Sequence, residues 1–280
     1  MSRWTGTGMG MSVRVLFTVG AAAAFLFFAG CGSKGAEKKA FASIADFDGA
    51  KVASMAGSVF DEFINRAIPN VTHEYYNTMP DMALAVVSGK ADAVALDMPV
   101  AKYLVAQNPD LALFPDVVEA DRYGFAVAKG SELGVKGNEV LNKMREDGTL
   151  AKLEELWFSA DESQKNLPVL SHNPEFDGSA GTITYGSEAT YPPTCYIGSD
   201  GKLTGYEIDI VARIAYELNM KAEFVPMAFA GLLPALASGK VNMVGGTMSI
   251  TEERLKSVDF IGPNFEGGIT LVIRKDRLGK

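Results

Sequence analysis

The sequence predicts an α/β protein made of two similar halves, and three observations carry that prediction. Short apolar runs alternate with stretches of helical period, as where Lys51 to Met55 is followed by Val59 to Ile68. Such alternation is the pattern of mainly parallel sheets covered by helices. The segment Ala85-Val-Val-Ser-Gly-Lys-Ala-Asp-Ala-Val94 is echoed by Ala235-Leu-Ala-Ser-Gly-Lys-Val-Asn-Met-Val244. Between the echoes lies Ser159 to Ala180, a polar stretch with Pro168, Pro174 and Gly178 and little periodicity, which reads as a linker. A chain of 280 residues is comfortable for two lobes.

From the start, Arg3 and Arg14 precede an uncharged stretch, Val15 to Gly30, rich in Ala, Phe and Leu. Its 16 residues fall short of a membrane span, and Ala29 and Gly30 stand directly before Cys31. The pattern is that of a secretion signal. Phe28-Ala29-Gly30-Cys31 resembles a bacterial lipobox, with Phe28 in place of the usual Leu. That likeness implies cleavage before Cys31 and a lipid on its thiol; an uncleaved anchor is the alternative, and both put the remainder outside the cytoplasm. Residues 31–40 are polar, with Lys34, Lys38 and Lys39, and suit a flexible tether. The other cysteine, Cys195, is left without a partner, so no disulfide framework is expected.

In the first half, strands are expected at Lys51 to Met55 and Ala91 to Leu96, and helices at Val59 to Ile68 and Met82 to Ser88. In the second, strands are expected at Ile183 to Tyr185, Ala222 to Pro226 and Val241 to Gly245, and helices at Tyr206 to Leu218 and Leu232 to Ala237. Gly89 and Gly239 stand where a helix end needs a left-handed residue, and Lys90 and Lys240 suit the negative helix terminus.

Composition narrows the function. The net charge is -8 and bases are scattered among acids, so nucleic acid is not expected as a partner. His73 and His172 are the only histidines, and there is no zinc-like spacing, GxSxG elbow or phosphate loop. Neither catalysis nor a metal or other cofactor is expected. Glu154-Glu155 and Glu252-Glu253 read as solvated helix faces.

Recognition groups are clearer. Gly246-Thr-Met-Ser-Ile-Thr-Glu-Glu-Arg254 ends a buried strand and opens a helix, with Ser249 or Thr251 as N-cap. Free backbone N–H groups beside a guanidinium suit a carboxylate, although the spacing alone favours an ordinary cap with a surface Arg. In the other half, Ala56-Gly57-Ser58 follows a strand and allows close backbone approach. Asp97 follows the strand Ala91 to Leu96, at the end where open sheets bind ligands, and could take an ammonium group or serve only the turn at Pro99. Tyr191 and Phe229 also follow strands and could wall a cleft.

Together the motifs Ala189-Thr-Tyr-Pro-Pro193, Gly201-Lys-Leu-Thr-Gly-Tyr-Glu-Ile-Asp209, Phe229-Ala-Gly-Leu-Leu-Pro-Ala-Leu236, Met248 to Arg254 with Val258-Asp-Phe260, Gly57-Ser58, Ala91 to Asp97, and Glu146 to Lys152 with Trp157-Phe158 resemble the amino-acid-binding proteins of ABC importers, solute-binding family 3. The resemblance implies a two-lobed, type II periplasmic-binding-protein-like fold. It also implies that Arg254 and the backbone around Thr247, Ser249 and Val59, next to Ser58, hold a ligand α-carboxylate. Asp97 and Thr247 would hold the α-ammonium, Tyr191 and Phe229 would flank the side chain, and Glu188 would lie near its end. Thr194, Cys195, Ala228 and Ala230 depart from the family's usual residues, which weakens the case for a cationic ligand side chain.

The halves come in exchanged order relative to the family, so the chain reads as a circular permutant. Residues 41–122 are expected to form lobe 2, 123–158 to return and pack on lobe 1, 159–180 to link, and 181–280 to form lobe 1. On this reading one hinge strand is opened, and the lobes are joined covalently near Asp121 to Phe125 alone, which eases exchange of lobes into a domain-swapped dimer. The implied function is that of an extracytoplasmic, lipid-anchored or periplasmic receptor. It would close on a polar amino acid and deliver it to an importer permease. A dehydratase-like enzyme with Glu188 as its acid or base, or a sensor without a permease, are the alternatives on this fold.

Overall fold

The computed structural model describes residues 39–159 and 176–279. The signal segment, Cys31, His172 and most of the expected linker lie outside them.

The first half opens with β1 (Lys51–Met55), α1 (Phe60–Ala67), β2 (Thr72–Tyr76), α2 (Met79–Val87), β3 (Ala93–Asp97) and α3 (Met98–Gln107). β1 lies between β2 and β3, parallel to both. Every residue of β3 is buried, as expected of an apolar run with covered faces. α2 begins where the Thr78 hydroxyl accepts the Asp81 N–H, with Pro80 in its first turn. It stops at Gly89, φ +75°, where Gly89 N–H donates to Val86 and Lys90 N–H to Ala85. The second half repeats this stop: Gly239 has φ +73°, and Gly239 and Lys240 donate to Leu236 and Ala235. The sequence echo is therefore a repeated helix-ending device.

Next come β4 (Leu111–Ala128), α4 (Glu132–Glu146) and α5 (Thr149–Phe158). The second half holds β5 (Thr182–Ser187), β6 (Thr190–Tyr191), β7 (Cys195–Ile197), β8 (Leu203–Thr204), α6 (Tyr206–Glu217), β9 (Lys221–Pro226), α7 (Leu232–Ala237), β10 (Met243–Val244), α8 (Glu252–Leu255) and β11 (Val258–Arg274). β6, β7 and β8 form a small antiparallel sheet. The other strands run in the order β2-β1-β3-β11-β4-β10-β5-β9.

The centre of that order overturns the expected single crossing. β4 and β11 pair antiparallel along nearly their whole lengths. One end of β11 lies against β3, from Ile269 opposite Asp97 to Ile273 opposite Ala93. The other end of β4 lies against β10, with Ala126 opposite Val244. Both strands therefore run from one lobe into the other, and the Ile269 to Arg274 end of β11 is lobe 2 sheet rather than lobe 1. The sequence reading assigned all of 181–280 to one lobe because a strand of 17 residues is longer than a lobe's own strands, and its far end changes partners without any break in apolar pattern. With two covalent crossings, the stated ground for lobe exchange is gone.

α5 packs beside the crossings. Phe158 stands edge-on to Phe265 of β11 at 5.0 Å between centroids, and Trp157 Nε1 donates to Asp209 of α6 at 3.3 Å. The described chain ends also meet: Phe41 N–H donates to Arg277 O and Gly279 N–H to Phe41 O.

Candidate functional site

A narrow, nearly closed cleft lies between the lobes, walled by Met55, Ser58, Val59, Phe60, Asp97, Glu188, Tyr191, Phe229, Gly246, Thr247, Ser249 and Arg254. All nine residues singled out in the sequence are among them. β1 and the turn before α1 deliver Ser58 and Val59, while the last residue of β3 is Asp97. From the other lobe, the turn after β5 gives Glu188, β6 gives Tyr191, a short 3-10 turn gives Phe229, and the segment after β10 gives Thr247, Ser249 and Arg254.

Arg254 is 8% exposed and sits in α8, a single turn capped by the Thr251 hydroxyl, which accepts the Arg254 N–H at 3.2 Å. Ser249 is not the cap. Its carbonyl instead accepts Arg254 Nη1 at 2.9 Å, while Nη2 reaches Gly57 O of the opposite lobe at 3.4 Å. Among the described residues no ion pair involves Arg254, and burial pulls its pKa down from the usual arginine value. The guanidinium also stands over the Phe229 ring, 5.8 Å from its centroid.

Asp97 is 1% exposed. Its Oδ2 accepts the Tyr191 hydroxyl at 2.9 Å, a bond between lobes, while Oδ1 is buried with no partner. The Tyr123 hydroxyl and Asp121 Oδ2 are buried without partners as well. Burial, reinforced by the negative charge of Asp121, pushes the Asp97 pKa up to about 8 despite its tyrosine neighbours. Tyr191 therefore does more than wall the cleft.

Glu188 is turned to its own loop, where Thr190 Oγ1 and N–H donate to it at 2.6 and 2.8 Å. Thr247 holds φ +58°, uncommon for a β-branched residue, and its hydroxyl donates to Thr194 at 3.0 Å. Gly57, at φ +81°, comes so near the other lobe that an added Cβ would lie 2.9 Å from Ala230 Cα. Met55, Phe60 and Gly246 line the cavity without having been singled out, because nothing in a buried apolar or glycine position marks which face it shows. Glu207, behind the wall, was quoted only as part of a motif.

A wider groove runs past Glu62, Arg66, Asp121, Arg122, Glu252, Glu253, Lys256 and Glu266. Half of these charges are paired, Arg66 with Glu62 and with Glu119 beside the groove, and Lys256 with Glu253. The narrow cavity instead faces a buried cation and a buried carboxylate across one space. Chemically it offers a place for an anion at Arg254 and a place for a cation at Asp97. No cluster of metal-ligating side chains occurs among the described residues.

Residues 183–278 match bacterial extracellular solute-binding proteins, family 3. The L-cystine-binding protein TcyJ of Escherichia coli (strain K12) is 36% identical over 99 residues, 35% of this chain and 37% of that protein. The L-arginine-binding protein of Pseudomonas aeruginosa is 33% identical over 93 residues, 33% of this chain and 36% of its own. An ancestral arginine-binding protein bound to arginine is 51% identical over 28% of this chain and 35% of its own, with a TM-score of 0.28. The matched part thus spans little more than a third of the curated relatives' length. With two lobes joined by a pair of antiparallel crossing strands, the architecture is the type II periplasmic binding fold.

Proposed function

We propose that this protein is a receptor for a polar amino acid, the extracytoplasmic binding component of an ABC importer, held at a membrane by a lipid on Cys31. The observation that carries the reading is the pair Arg254 and Asp97, a buried guanidinium and a buried carboxyl that face one cleft. A zwitterion satisfies both: its carboxylate takes the fork of Arg254 with the N–H groups near Val59 and Ser249, and its ammonium takes the unpartnered Asp97 Oδ1 beside Thr247. Tyr191 and Phe229 then flank the ligand side chain, with Glu188 toward its end. The relatives named for cystine and arginine support an amino acid, and their names as binding proteins favour transport over turnover.

Contacts from both lobes would hold the closed state, which is the form a permease would receive. The exchanged order of the halves belongs to the same proposal, since the paired ends at Phe41 and Gly279 supply a place where a chain of the other order is continuous. Thermal-shift screening against the common L-amino acids, with mass analysis of co-purified ligand, tests the receptor reading. Saturating ligand is expected to stabilise by about 3 kcal/mol, and no shift with any amino acid removes the function.

A further inference from the structure

Among the buried carboxylates that the proposed ligand contacts do not use, Glu207 is the most enclosed. Glu207, in the first turn of α6, is 2% exposed, and four groups surround it. Gly246 N–H and the Tyr185 hydroxyl donate to Oε2 at 2.6 and 2.9 Å, while Thr247 N–H and Asn264 Nδ2 donate to Oε1 at 2.9 and 3.4 Å. Among the described residues no ion pair involves it. Burial pulls its pKa up, and the two backbone N–H groups, the tyrosine and the asparagine pull it back.

Two of the four donors belong to the cavity wall itself, because Gly246 and Thr247 both face the cavity. The peptide joining them is trans, so its N–H and C=O point in opposite directions. With the Thr247 N–H held against Glu207 behind the wall, the Gly246 carbonyl is directed away from Glu207, on the side of the cavity. The same bonds brace Thr247 at φ +58°, a conformation that a β-branched residue keeps only where its surroundings enforce it.

We propose that Glu207 is a positioning residue for the ligand's ammonium group: by fixing two consecutive amides from behind, it presents the Gly246 carbonyl as a second acceptor beside Asp97. This rests on the receptor reading. Glu207 never touches the ligand. Its four neighbours can all donate, so a glutamine there would set its NH2 against an N–H whichever way it turned.

The test compares the tightest-binding L-amino acid from the screen with its des-amino analogue, which keeps the carboxylate and side chain but lacks the ammonium. In Glu207→Gln, calorimetric affinity for the amino acid is expected to fall about tenfold or more while that of the analogue changes less than about threefold. Tyr185→Phe removes one donor without disturbing the chain and is expected to shift the same ratio in the same direction by about threefold, which keeps the test alive if the glutamine variant fails to fold. A purely structural role lowers both affinities together and leaves the ratio unchanged, and that result in both variants overturns the proposal. If the unaltered protein binds no amino acid, the receptor reading falls and this inference with it. If it binds but the ratio does not move, Glu207 alone is misassigned.

Discussion

The two lobes bring a guanidinium and a carboxyl to the cavity and treat them differently. Arg254 is supported by carbonyls, one from its own lobe and one from Gly57 across the gap, which use two of its five N–H donors and form no ion pair. Asp97 is supported by the Tyr191 hydroxyl from across the gap, and one of its oxygens is left without a partner. Each charged group therefore holds the other lobe through a neutral dipole. A neutral dipole closes the lobes weakly and leaves the charge for a ligand, whereas a direct Arg254–Asp97 ion pair would have closed them without one.

The strongest way to break this comparison is to remove either charge. Arg254→Ala and Asp97→Ala are each expected to weaken binding by at least about 2 kcal/mol, some thirtyfold, because each strands a ligand charge in a buried site. Near-normal calorimetric affinity in either variant removes the site. Gly57→Ala tests closure instead of charge. Its Cβ would meet Ala230 across the gap from a backbone at φ +81°, so affinity should fall about tenfold, with small-angle scattering showing a larger radius at saturating ligand.

Acidity sharpens the asymmetry. The Asp97 carboxyl has its pKa raised in the folded chain to about 8, so its contribution to ligand-free stability is complete at low pH and is lost as pH rises toward that value. The melting temperature of ligand-free protein should therefore drop by roughly 3 °C per pH unit between about pH 4 and 8. Burial also raises Asp121, Glu188 and Glu207, so Asp97→Asn should reduce this slope without abolishing it. A slope unchanged by that substitution would show that Asp97 titrates normally. The smallest effect belongs to Tyr191→Phe, which deletes one hydrogen bond between lobes and should cost about 1 kcal/mol of affinity in the same calorimetric assay.

Much of the site was legible because its residues sit beside elements that declare themselves. β1 and β3 are short apolar runs, and a charged or small residue just past such a run lies at the strand end where ligands bind, which singled out Ser58 and Asp97. Arg254 was singled out by its place after a cap for which Ser249 and Thr251 were both candidates, and Thr251 is the cap. Glu207 could not be found that way. It stands in an amphipathic helix beside Asp209, and both acids are buried, yet no periodicity tells which acid meets backbone N–H groups some 40 residues later in the chain.

By itself the sequence determined the α/β class and the repeated Ser-Gly-Lys helix stops, because each is set by local propensity and by the alternation of apolar residues. Only the tertiary structure decided that β11 leaves one lobe and finishes in the other, that Tyr191 spends its hydroxyl on Asp97, and that Glu207 braces the wall from behind. Those are matters of which distant segment fills a neighbouring strand position or meets a buried polar atom, and the need to satisfy such atoms is felt only once the chain has packed.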